Sequence, residues 1–98
     1  MGHSIKTQIF LTESRMRDAM RGDGDACFEL GVSYSAGTDG CDLDLIEAHK
    51  WFNIAAVKGN MLAAEYRTEI SEDMSAREII EAQRQARAFL GMGQRLAA

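Results

Sequence analysis

Along nearly the whole chain, apolar residues recur at helical spacing in segments punctuated by glycine. Leu11–Arg21 carries Met16, Ala19 and Met20 on one face, which predicts a first helix stopped by Gly22. A second helix is expected over Asp25–Ala36, where Ala26, Leu30 and Tyr34 repeat every fourth residue behind an N-cap at Asp23 or Asp25. After the polar turn Gly37–Cys41, Asp44 opens the most regular segment. There Ala48, Trp51, Phe52, Ala55 and Ala56 form a wide stripe that ends near Lys58, with Gly59 just beyond. Asn60 can cap a fourth helix from Met61 to about Ser71, with Leu62, Ala63, Tyr66 and Ile70 inward. Ser75 and Glu78 have the spacing of a capping box, in which each side chain takes the other residue's free amide. The helix it launches points Ile79, Ala82, Ala86, Phe89 and Leu90 inward and is expected to stop at Gly91, leaving a frayed tail to Ala98. Five antiparallel helices joined by short turns are the coarse expectation.

An internal repeat changes that picture. The stretch Ala19–Ala26 pairs with Ala56–Ala63 at an offset of 37 residues, measured from Gly22 to Gly59. Between them runs a denser pattern: Ala26, Leu30, Gly31, Tyr34 and Gly37, then Gly40, Asp44, Ala48, Trp51, Ala55, Ala56, Gly59 and Ala63. This segment resembles the Sel-one-like repeat (SLR) family, a branch of the tetratricopeptide-like α/α repeats. Thirteen signature positions match over 38 residues, with Cys41 where valine is usual and one extra residue between Gly37 and Gly40. The resemblance implies an all-α fold, a short right-handed α/α solenoid with one full repeat at about 26–63, half-repeats on either side and a capping helix at about 75–90. The Ser75–Leu90 stretch also looks like the C-terminal segment of bacterial SLR proteins. Physically the signature is a packing code. Gly31 and the alanines let two helices approach, while Leu30, Tyr34 and Trp51 fill the space between them. The code lapses in the next repeat, where Arg67, Thr68 and Ser71 stand at the positions of Leu30, Gly31 and Tyr34.

Composition narrows the function classes. The 98 residues and 10.8 kDa bound one domain, taken as 5–98 once Met1–Ser4 is set aside as a vector-derived start. A net charge of -4 argues against nucleic acid, and no apolar run suits a membrane span. Cys27 and Cys41 read as reduced thiols of a cytoplasmic protein, with a single Cys27–Cys41 bridge as the alternative. The bridge of cysteine-rich SLR relatives would need a cysteine near Ala56 and is closed to this chain.

The chemistry-bearing residues form no site by spacing. His49 has Asn53, not a ligand, four residues on, and reads as a surface or half-buried structural histidine. Asp39, Asp42, Asp44 and Glu47 lack the alternation of a calcium loop and read as a solvated turn plus a helix cap. Gly22-Asp23-Gly24 and Gly91-Met92-Gly93 follow helices and lack a phosphate-loop lysine. Ser14, Ser33, Ser35, Ser71 and Ser75 have no catalytic motif around them, so no enzyme, metal or cofactor is expected. Met16, Met20 and Met61 read as core filling, and Arg84, Arg87 and Arg95 as a solvated face offset by Glu78 and Glu81.

The resemblance implies an adaptor or scaffold that binds another protein. By analogy with tetratricopeptide geometry, Asp25, Phe28, Glu29, Val32 and Ser35 would face a shallow groove, continued by Glu65 and Glu69. Its acidic rim around an apolar centre suits a basic amphipathic peptide or helix. The alternative is a self-associating structural or regulatory subunit, a homodimer that buries apolar ends at Phe10–Leu11 and Phe89–Leu90.

Overall fold

A computed structural model describes residues 5–97; Met1–Ser4 and the Arg95 side chain lie outside the described residues. The described residues form five helices and no strand: α1 (Ile5–Met20), α2 (Gly24–Ala36), α3 (Leu45–Val57), α4 (Ala63–Ser71) and α5 (Ala76–Ala97). The helix α3 is central. It packs on α2, α4 and α5, while α1 packs on α2. Ala48, Trp51, Phe52, Ile54 and Ala55 of α3 are all buried, joined in the core by Leu30 and Cys27 of α2, Ala19 of α1, Ala63 of α4 and Ala86 of α5.

Close approach explains the pairing of α2 with α3. A Cβ built on Gly31 would stand 2.5 Å from Cδ1 and Cε1 of Phe52, so the ring occupies the space of the missing side chain. At the two ends of this contact, Gly24 lies against Lys58 and Gly37 against Leu43. Gly37 has a left-handed φ of 69°, and its amide bonds back to the Ser33 carbonyl, which closes α2.

The junctions between helices repeat in detail. After α1, Gly22 donates to the Ala19 carbonyl and Asp23 to that of Asp18; after α3, Gly59 donates to Ala56 and Asn60 to Ala55. Gly22 and Gly59 both take a positive φ, of 90° and 99°. Asp23 Oδ1 then accepts from the amides of Asp25 and Ala26, and Asn60 Oδ1 from those of Leu62 and Ala63. The two caps also touch, because Asn60 Nδ2 donates to Asp25 Oδ1 at 3.1 Å. The capping box at the start of α5 forms as its spacing predicts, with Ser75 N to Glu78 Oε1 at 2.8 Å and Glu78 N to Ser75 Oγ at 3.1 Å.

Four local expectations are corrected. The first helix starts at Ile5, not Leu11, because no glycine or proline interrupts the chain between Ile5 and Gly22. Met20 and Met61 are 58% and 90% exposed instead of core: Met20 ends α1 beyond its last buried residue, Ala19, and Met61 sits in a turn. The fourth helix begins at Ala63, because the Asn60 cap spends Met61 and Leu62 on the turn, and Leu62 faces outward. The last helix runs through Gly91 to Ala97, since one glycine costs a helix interior only about 1 kcal/mol.

The passage through Gly91 carries a prediction. Nothing lies within 4 Å of a Cβ built there, and its backbone is not in the left-handed region. Gly91→Ala is therefore expected to stabilise the protein by about 0.5–1 kcal/mol, read as a higher urea midpoint at unchanged slope.

Candidate functional site

The face shared by α2 and α4 holds the residues expected to line a groove. On α2, Asp25 and Glu29 are exposed, and Phe28, Val32 and Ser35 are half-buried. On α4, Glu65 and Glu69 are exposed. The two helices meet through aromatic rings: Phe28 and Tyr66 stand edge to face with centroids 5.0 Å apart, and each lies 5.7 Å from the ring of Phe52 beneath. Phe28 is thus partly spent on the core and is the floor of the face more than a free knob. Leu62 and Tyr66, which periodicity placed inward, are 51% and 39% exposed and extend the apolar centre along α4.

The acids differ in how far they are neutralised. Glu29 is paired with Arg15 of α1 at 3.0 Å, and Asp25 accepts from Asn60. Neither Glu65 nor Glu69 makes an ion pair among the described residues, so their carboxylates offer two full charges to an incoming cation. Ser35 donates its hydroxyl to the Val32 carbonyl, which leaves its oxygen as an acceptor only.

A second polar cluster lies where α1 crosses the α2–α3 turn. Asp39, at a left-handed φ of 57°, takes Ser33 Oγ at 2.8 Å and Arg15 at 3.0 Å on the same carboxylate oxygen, while Thr12 donates to its backbone carbonyl. Arg15 also reaches Glu29, so one guanidinium ties α1 to both the turn and α2. Ser33 is buried with its hydroxyl committed to Asp39, which suits a clasp and not a nucleophile. Burial also raises the thiol pKa at both cysteines, pushing Cys27 up to about 11, and a thiol held protonated is a poor nucleophile. Both cysteines are buried and free in the structure.

His49 departs from its expected place. It is 2% exposed, and its Nδ1 has no hydrogen-bond partner. The third helix is surrounded on three sides, so a residue flanking Trp51 is enclosed whatever its polarity; a sequence window sees one helix at a time and misses this. Desolvation first, and the nearby Arg67 cation second, lower its pKa from the ordinary 6.5. The folded protein thus resists protonating His49, whereas the unfolded chain accepts a proton near pH 6.5. This contribution to stability is complete above that pH and is lost as the pH falls from about 6.5 toward the lowered folded value. The urea midpoint of the wild type should drop between pH 7.5 and pH 5.5 by more than that of His49→Leu. At the higher pH the variant should be as stable or slightly more so, because an unpartnered nitrogen is gone.

Among the described residues no group of His, Cys, Asp and Glu could hold a metal ion, and no helix is long and apolar enough to cross a membrane. Comparison with family models, with curated proteins and with solved structures gave no match to this chain.

Proposed function

We propose that the chain is a short helical-repeat module of the SLR type that binds another protein on the face shared by α2 and α4. Three features support the repeat. The helix junctions around Gly22 and Gly59 share their bonds and caps at an offset of 37 residues. The contacts of Gly24, Gly31 and Gly37 with Lys58, Phe52 and Leu43 follow the order of an antiparallel α2–α3 hairpin. Rings on alternate helices touch: Phe28 with Tyr66 between α2 and α4, and Trp51 with Phe89, at 5.4 Å, between α3 and α5. Stacking of this kind turns a helical pair into a right-handed solenoid, with α5 as the closing helix.

The observation that carries the binding function is the uncompensated charge of Glu65 and Glu69 beside the exposed rings and side chains of Tyr66 and Leu62. A basic amphipathic segment answers both, since charge supplies register and encounter rate and apolar contact supplies affinity. Adaptor or scaffold is the role that the SLR resemblance implies for such a face. The test is affinity capture from lysate by the wild type and by Glu65→Lys/Glu69→Lys, compared by quantitative mass spectrometry. At least one protein should be enriched on the wild type and lost on the variant. Identical capture by both removes this face as the binding site.

A further inference from the structure

The chain carries on its own surface a helix with the chemistry that the α2–α4 face would select. Arg77, Ile80, Arg84 and Arg87 follow one another at three- and four-residue steps along α5, which sets them on one stripe. That stripe lies opposite the side that buries Ala82 and Ala86. Ile80 is 62% exposed, a large apolar side chain at the centre of a basic row. Arg77 and Arg87 make no ion pair among the described residues, and Arg84 is held by Glu81 at 2.6 Å. The complementary stripe starts at Leu62, just before α4, and continues along the helix, where Tyr66 stands among Glu65 and Glu69. Other charges near that stripe are the exposed Glu72 and Asp73, which extend it past the end of α4, Asp25, held by Asn60, and Glu29, held by Arg15.

The geometry points to self-association in which α5 of one copy lies on α4 of a second, with Ile80 against Leu62 and Tyr66 and the arginines against Glu65 and Glu69. The two stripes sit on consecutive helices that each pack on α3 rather than mainly on each other. Under a two-fold axis, α4 of one copy on α5 of the other entails α5 on α4 as well, so both pairs of stripes are used and the contact closes. This interface differs from one built on Phe10–Leu11 and Phe89–Leu90. Phe89 and Leu90 already pack on the core, and Phe89 is engaged by Trp51. The inference rests on the α2–α4 face as a binding surface and names a second copy as an occupant, so self-association would compete with a basic peptide for it.

Charge reversal tests it on the intact chain. At roughly 0.02 M salt, light scattering should give twice the 10.8 kDa monomer mass, falling to the monomer at roughly 0.5 M as screening sets in. Glu65→Arg/Glu69→Arg alone and Arg77→Glu/Arg87→Glu alone should each be monomeric at low salt. An equimolar mixture should recover the dimer, because each reversed acidic stripe then meets a reversed basic one. Glu13→Arg/Asp18→Arg, a similar charge change at two exposed positions of α1, away from both stripes, should leave the dimer intact. Far-UV circular dichroism shows whether each variant is folded, and Gln replacements at the same sites repeat the loss of dimer where a reversal disturbs folding. A wild type that is monomeric at low salt, or a dimer that survives either reversal, overturns the inference. The monomeric outcome leaves the α2–α4 reading standing if capture from lysate still depends on Glu65 and Glu69, so the two failures are told apart.

Discussion

Gly31→Ala should destabilise the protein by about 3 kcal/mol, lowering the thermal midpoint by roughly 10–20 °C. The new methyl would stand 2.5 Å from two ring carbons of Phe52. That ring has nowhere to go: it is fully buried and wedged between Phe28 and Tyr66. Either the ring leaves its rotamer or α2 moves off α3, and each route loosens the largest helix contact in the molecule. Pairing the change with Phe52→Leu identifies the cause. If the methyl–ring clash is responsible, the double variant should lose less than the sum of the single ones, giving a coupling energy of opposite sign to the losses. Additive losses would mean that Gly31 acts through helix propensity, although Ala is the better helix former and should then have stabilised.

The second large effect is expected at Trp51. Its indole is 2% exposed, meets Phe89 edge to face at 5.4 Å, and donates from Nε1 to Glu47 Oε2 at 3.1 Å. Glu47 is in turn held by Lys50, whose ammonium lies 4.9 Å from the indole centroid. Trp51→Ala empties the space between α3 and α5 and should cost about 3–5 kcal/mol, a large share of the 5–15 kcal/mol that holds a typical domain together. Denaturation followed by far-UV circular dichroism measures it, since the variant has lost the only tryptophan of the chain. Trp51→Phe should cost less, because a ring still faces Phe89 and only the N–H bond to Glu47 is lost. Equal stability of Trp51→Ala and the wild type would mean that α5 is not docked through this residue.

The helices were legible because their stop and start signals are local. Asp23 and Asp44 cap where their spacing indicates, and the Ser75–Glu78 box closes with both bonds made. The small-residue code was legible for the same reason: Gly31 directly follows Leu30 and stands about one helix turn before Tyr34, and a glycine there has few other uses. Gly91 misled because the same residue type is tolerated inside a helix when nothing else demands a turn. Leu62 and Tyr66 misled because α4 is short and flanked on few sides, so its apolar residues outnumber the places to bury them.

The candidate face was only half legible. The tetratricopeptide analogy put Asp25, Glu29 and Val32 on one side of α2, but no pattern along one helix reveals that Phe28 lies on Tyr66, or that Arg15 from α1 neutralises Glu29 while Glu65 and Glu69 have no ion pair among the described residues. The same holds for His49, whose enclosure depends on three neighbouring helices.

The amino-acid order alone determined an all-helical chain, its caps, and the close contact at Gly31, because hydrogen bonds within a helix and its ends involve residues only a few positions apart. Which apolar side chains remain outside, which acids keep their charge, and how deeply His49 is enclosed were decided by tertiary packing. Burial and charge pairing are set by neighbours distant in sequence, and those neighbours exist only once α3 has gathered α2, α4 and α5 around it.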